Sequence, residues 1–128
     1  MKIYVAHSRD FDFQKELYEP IRQSSLNQEH TFVLPHENSA EPFNSKDYLK
    51  NECELMIAEV SFPSTGLGIE LGWANSYNVP IVCIYRKGSK LSGSLKVVAG
   101  NFVEYSNSKE LISGIKKILK QMQVQHQK

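Results

Sequence analysis

Five short apolar runs, alternating with helical patterns, constrain this chain more than any other feature. They are residues 2–6 (KIYVA), 31–34 (TFVL), 55–60 (LMIAEV), 79–85 (VPIVCIY) and 101–105 (NFVEY). Their length and their β-branched and aromatic content read as strands. Helical patterns cover residues 11–27, 45–52, 71–77 and 109–122, and residues 91–98 are ambiguous between loop and short helix. In the first helix Phe13, Leu17, Ile21 and Leu26 lie near one face, and Pro20 implies a kink or break near Tyr18. Asp10, Ser45 and Ser108 are the expected N-caps of the first, second and last helices. In the last helix Leu111, Ile112, Ile115, Ile118 and Leu119 form the apolar face. Regular alternation implies a parallel sheet with helices on both faces, and right-handed crossovers leave few topologies. The expected architecture is α/β, a flavodoxin-like three-layer sandwich whose five parallel strands run in the order 2-1-3-4-5. Its switch point falls between strands one and three. The loops after Ala6 and Val60 should therefore lie side by side, with Tyr4, Ser8 and Arg9 facing Ser64 and Glu70 across one crevice.

Composition narrows the function classes. A chain of 128 residues fits one domain, residues 1–128, with a real core. A net charge of +1 gives no reason to expect nucleic acid or an acidic membrane surface as partner. No apolar run approaches the roughly 20 residues that span a bilayer, and the N-terminus enters a strand pattern without a signal-peptide layout. Cys53, in an expected helix, and Cys83, in a strand, read as buried free thiols, which suits a reducing cytoplasm. Residues 121–128 are the one disorder candidate.

The richest stretch is residues 61–74, SFPSTGLGIELGWA, between the third strand and a helix. Pro63, Gly66 and Gly68 are expected to bend the backbone there. Such a crossover offers free N–H groups and a helix N-terminus to an anion, and it places Glu70 just inside the expected helix start. Glu70 can serve as nucleophile or electrostatic stabiliser in a cleft; its plainer reading is a helix-start carboxylate. Asp47, early in the preceding helix, is the natural second acid, or else a solvent-facing one. Ser8, Arg9 and Ser64 could cradle a phosphate, or serve as turn, cap and surface residues. Tyr4 points opposite to Ile3 and Val5, where its phenol could bond Glu70 or sit satisfied in the core. His7, His30, His36 and His126 lack metal-ligand spacing, so no metal site is expected. His36 lies in a loop near the crevice and reads chiefly as a surface residue. A Walker lysine, a nucleophile elbow and a dinucleotide fingerprint are missing from the sequence.

Residues 59–74, EVSFPSTGLGIELGWA, resemble the nucleoside 2-deoxyribosyltransferase superfamily, and look closest to its 2′-deoxynucleoside 5′-phosphate N-hydrolase branch. The most specific part is Gly66-x-Gly-x-Glu-Leu-Gly-x-Ala74, and the resemblance extends from Ile3 to Asn101. It implies cleavage of the N-glycosidic bond of (2′-deoxy)nucleoside 5′-monophosphates. Glu70 matches the glutamate that acts at C1′, Tyr4 the tyrosine beside it, and Asp47 the acid that assists departure of the base, after a one-residue shift. Ser8 matches a phosphate-loop serine. Ser64 stands where transferases of the superfamily carry an aspartate and the nucleotide hydrolases a serine. Ser94, or Ser92, matches a serine lent by a neighbouring subunit, which implies a homodimer with shared sites. No cofactor is implied. The alternatives are a deoxyribosyltransferase exchanging bases and a non-catalytic nucleotide-binding module. The chain departs from the family's pattern at residues 7–10, HSRD in place of a glycine-rich loop, at Glu54 and at Trp73.

Overall fold

A computed structural model of the protein describes residues 1–126. Five parallel strands, β1 (Lys2–His7), β2 (Thr31–Val33), β3 (Leu55–Glu59), β4 (Ile81–Arg86) and β5 (Asn101–Tyr105), form one sheet. Their order is β2-β1-β3-β4-β5, as the alternation predicts. This is a flavodoxin-like sheet. The register sets His7 opposite Glu59 where β1 and β3 end, at the switch point.

Side-chain alternation sends two sets of residues to the two faces. Ile3, Val5, Leu55, Ile57, Val82, Ile84 and Val103 pack with Leu17, Tyr18 and Ile21 and with Leu111, Ile115 and Leu119 of α6 (Ser108–His126). Tyr4, Ala6, Met56, Ala58 and Cys83 face Leu49 of α3 (Ser45–Asn51) and Leu67, Leu71 and Ala74 of α4 (Thr65–Ser76). The helix α6 sits close on β5: a Cβ built on Gly114 would fall 2.4 Å from Val103 Cγ1. A larger residue would push the helix off the sheet.

The segment after β1 is the least regular. A π-helical turn (Gln14–Tyr18) leads into α1 (Glu19–Gln23) and, after a break at Ser24, α2 (Leu26–Glu29). The Glu19 N–H reaches back to the Gln14 carbonyl. The wider turn precedes Pro20, whose ring would clash with a carbonyl of a regular α-turn and which has no N–H to offer. The kink expected near Tyr18 is thus a π turn. Asp10 does not cap it: the N-cap position is Phe13, and Asp12 Oδ1 accepts the Lys15 N–H at 3.3 Å.

Two other caps move by one residue, because asparagine as well as serine can accept from the first turn. Asn44, not Ser45, caps α3. Asn107, not Ser108, caps α6, accepting the Glu110 N–H at 2.9 Å. The ambiguous segment holds a single helical turn, α5 (Leu95–Val98). Cys53 lies just past α3 rather than within it, and both cysteines are free thiols. The tail expected to be disordered from Gln121 continues α6 to His126, and residues 127–128 lie outside the described part. No described helix is long and apolar enough to cross a membrane.

The largest difference is in α4. It begins at Thr65, six residues before the expected Leu71, so Gly66 and Gly68 are helical rather than bends. Each glycine costs about 1 kcal/mol in a helix. Burial of Leu67, Leu71 and Ala74 and the Ser64 cap outweigh that cost. The helix stops at Asn78, whose φ of 60° ends the repeat before Pro80.

Candidate active site

A cavity of about 440 Å³ opens at the carboxyl ends of β1 and β3, a size suited to a small molecule. Its walls come from four places. The end of β1 and the following loop give Tyr4, His7, Ser8, Arg9 and Asp10; the loop before α3 gives His36 and Phe43; α3 gives Ser45; α4 and its cap give Ser64, Glu70 and Trp73. Five residues singled out in the sequence, Tyr4, Ser8, Arg9, Ser64 and Glu70, therefore meet in one crevice.

Glu70 is not at the helix start. It lies in the second turn of α4, beyond the reach of the free N–H groups. Helical side chains lean toward the N-terminus, and Glu70 meets Tyr4 on the face of the sheet that α4 covers. The Tyr4 hydroxyl donates to Glu70 Oε2 at 2.5 Å. Burial raises the Glu70 carboxyl above its usual range, and the Ser45 and Tyr4 hydroxyls pull it back only in part. The Tyr4 hydroxyl is held well above the usual phenol range by burial and by the charge of Glu70, so it stays a proton donor. The result is a half-buried carboxylate, more basic than in water, oriented by a phenol and open on its cavity side.

Ser8 is buried, and its Oγ accepts the Asp10 N–H at 3.0 Å. Ser64 Oγ accepts the Leu67 N–H at 3.2 Å and caps α4. A hydroxyl that accepts still has its own proton to donate, so both serines can point a donor into the cavity. Arg9 Nη2 lies 3.1 Å from the Ala40 carbonyl and 3.0 Å from His36 Nδ1. Burial and the neighbouring guanidinium lower the pKa of His36. Arg9 is the one cation among the lining residues, and Asp10 and Glu70 are the anions. An anionic ligand therefore depends on Arg9 and on neutral N–H and O–H donors.

Two singled-out residues do not line this cavity. Asp47 Oδ2 accepts from Asn44 Nδ2 at 2.9 Å, and Asn44 Oδ1 accepts the Asp47 N–H at 3.4 Å, a reciprocal cap of α3. Ser94 lines a neighbouring cavity of about 310 Å³ with Lys90, Ser92 and Leu95. Ser64 and Leu67 line both cavities. Sequence reasoning missed Ser45 as a lining residue. Its position before a helical pattern reads as a cap, and the one-residue shift of that cap leaves Ser45 lining the cavity. It also missed the apolar wall of Phe43 and Trp73, which a loop and a helix bring together without a shared motif. Among the described residues no cluster of three or more His, Cys, Asp or Glu could hold a metal.

Fold and site together define a flavodoxin-like protein with an oriented carboxylate at its switch point, in a crevice furnished for a small polar ligand. No family model matches the chain. Over 50 residues it is 42% identical to the protein named "Putative 2′-deoxynucleoside 5′-phosphate N-hydrolase 1" of Syntrophotalea carbinolica, a match covering 39% of this chain and 34% of that one. A protein of the same name from Methanococcoides burtonii is 41% identical over 44 residues, 34% of this chain and 36% of the relative. The chain thus spans about a third of the length of these relatives. Among solved structures, CMP N-glycosidase BcmB of Clostridium botulinum superposes with a TM-score of 0.63 at 19% identity, covering 91% of this chain and 99% of that one. A conserved protein of Enterococcus faecalis V583 superposes with a TM-score of 0.61, also at 19% identity, covering 91% and 98%. These two show the shared fold. The comparisons bear out the resemblance to the nucleoside 2-deoxyribosyltransferase superfamily and its N-hydrolase branch.

Proposed function

We infer that the protein is an N-glycosidase that cleaves the bond between base and sugar in a (2′-deoxy)nucleoside 5′-monophosphate, releasing free base and the sugar 5-phosphate. The observation that carries this reading is the Tyr4–Glu70 pair, 2.5 Å apart, open to a cavity of about 440 Å³. The names of the relatives and of the structural neighbour point the same way. Residues 1–128 act as one domain in this reading.

Glycosyl transfer needs a carboxylate on one face of the sugar, either to attack C1′ or to stabilise the oxocarbenium character there. Glu70 takes that role, and its raised pKa strengthens it as a nucleophile. The Tyr4 proton fixes which oxygen is engaged and leaves the other to face the sugar. Water then completes the reaction, so no cofactor takes part. Ser8, Arg9 and Ser64 hold the phosphate. A serine at position 64 avoids setting a carboxylate against a dianion, which favours a nucleotide hydrolase over a deoxyribosyltransferase. Asp47 assists the departing base, and must first exchange its Asn44 partner. Ser94 reaches a phosphate from a second copy of the chain, in a homodimer with shared sites.

The test is chromatography of released base from a panel of deoxy- and ribonucleoside monophosphates and the matching nucleosides. Release from monophosphates alone, lost in Glu70→Ala, is the expected result. Release from nucleosides with exchange onto an added base would make the protein a transferase. Nucleotide binding by the folded protein without turnover would make it a binding module.

A further inference from the structure

The ladder between β1 and β3 ends at the pair His7 and Glu59. Beyond it, the loop after β1 brings Ser8, Arg9 and Asp10 to the cavity, and the loop after β3 brings Ser64. A ligand that touches both loops needs them at a fixed separation. Among the described residues no hydrogen bond joins residues 8–13 to residues 60–64. What joins them is aromatic. The rings of Phe11 and Phe62 stack, with centroids 5.2 Å apart and planes 19° from parallel.

Arg86, at the end of β4, completes that contact. Its guanidinium carbon lies 5.2 Å from the Phe11 centroid and 5.0 Å from the Phe62 centroid. Both distances fall within the reach of about 6 Å over which a cation is drawn to a ring face. The guanidinium is also held from the π turn, where its Nη2 donates to Glu16 Oε2 at 2.5 Å. The Arg86 backbone N–H donates to Ser61 Oγ at 2.8 Å, next to Phe62. The ion pair with Glu16 is half-exposed, so its charge attraction alone holds little. The rings carry more of the contact, because a guanidinium is weakly hydrated, always charged and flat enough to lie on aromatic faces.

Phe11, Phe62 and Arg86 do not line the crevice. Each ring is two residues from a lining residue, Phe11 from Arg9 and Phe62 from Ser64. We propose that Arg86 is a positioning residue: by clasping Phe11 to Phe62 it sets the separation of the loops after β1 and β3, and so of Ser8 and Arg9 from Ser64. The clasp acts through those residues and meets no substrate. The choice of phosphate as the group that bridges the loops rests on the function proposed above.

The test reads the loops by amide hydrogen exchange without ligand, and then by titration with inorganic phosphate. Arg86→Met keeps an apolar stem and removes the cation. Exchange at residues 8–13 and 61–64 should rise together, about tenfold, while the β1 and β3 amides stay protected. Phe62→Leu leaves the bond between Arg86 and Glu16 in place; it should loosen the same two loops, and it carries the test if Arg86→Met does not fold. The double variant should be little worse than either single one, because the members act as one contact. Arg86→Lys keeps a cation near the rings and should recover most of the protection. Phosphate affinity should fall about tenfold in Arg86→Met and in Phe62→Leu, the scale of one charge-assisted hydrogen bond. If base release is found, KM for a monophosphate should rise by a similar factor while kcat stays within about twofold. Faster exchange confined to residues 86–88 would overturn the proposal. So would full additivity of the two substitutions, or unchanged phosphate affinity once the loops have loosened. Coupled loosening of the loops in a protein whose wild type binds no phosphate would refute the phosphate reading and leave the clasp standing.

Discussion

The sheet carries a glutamate bonded to a tyrosine on each face, and the two pairs differ in one respect. Glu70 meets Tyr4 beside the cavity, and one side of its carboxylate is open. Glu59, at the end of β3, is fully buried on the other face. Its Oε1 accepts the Ser61 N–H at 2.6 Å, and its Oε2 accepts the hydroxyls of Ser61, at 3.0 Å, and Tyr105. Ser61 Oγ accepts the Arg86 N–H at 2.8 Å, which ties the loop after β3 to the end of β4. A carboxylate engaged on every side is a strut; one held by a phenol and left open can react. Burial of a carboxyl group alone therefore does not mark the reactive one; the unfilled side does.

The sharpest break of that contrast is Glu70→Gln. Base release should fall at least about a thousandfold, as for loss of a group that acts on the reacting atom. The unfolding midpoint should stay within about 2 °C, because the amide fills the same space without a charge to desolvate. Glu59→Gln should do the reverse. An amide nitrogen would face a donor, the cost of an unsatisfied buried group is about 2–4 kcal/mol, and Tm should fall by about 10 °C. Denaturation curves and base-release assays on both variants check the pair.

The end of β1 beside Glu59 also predicts a pH dependence. His7 stands opposite Glu59 in register. Its pKa falls from 6.5 to about 4 on folding, chiefly through burial. Its neutral form is the folded form, so the stability linked to it is complete above pH 6.5 and is lost as pH falls through about 4. The loss should be roughly 2–3 kcal/mol, read from denaturant midpoints between pH 7 and 4, and His7→Asn should flatten that dependence. The smallest effect is expected from Tyr4→Phe, about tenfold in kcat/KM with little change in Tm, since one hydrogen bond is lost beside open space.

The open pair was legible in the sequence and the sealed one was not. Strand parity put Tyr4 opposite to Ile3 and Val5, and the 2-1-3-4-5 order put the loops after β1 and β3 together, so the crevice and five of its residues followed. The path of α4 did not follow, because two glycines read as bends when the Ser64 cap and three buried side chains make them helical. Asp47 and Ser94 carry motif matches, but the local cap at Asn44 and the separate cavity near Lys90 depend on packing that no spacing records. The Glu59–Ser61–Tyr105 network joins residues 46 positions apart in the chain. Its members bear no pattern that separates them from ordinary strand ends.

The most direct measurement is the pH profile of kcat/KM for base release by the wild type, Tyr4→Phe and Tyr105→Phe. Glu70 must be ionised to act, and burial raises its pKa above the usual 4.5. The acid limb of the wild-type profile should therefore lie above pH 4.5. Removal of the Tyr4 hydroxyl, which lowers the Glu70 pKa, should move the limb to higher pH, and Tyr105→Phe should leave it in place. An acid limb at or below pH 4.5, or one moved by Tyr105→Phe and not by Tyr4→Phe, would contradict the assignment of the open pair as the reactive one.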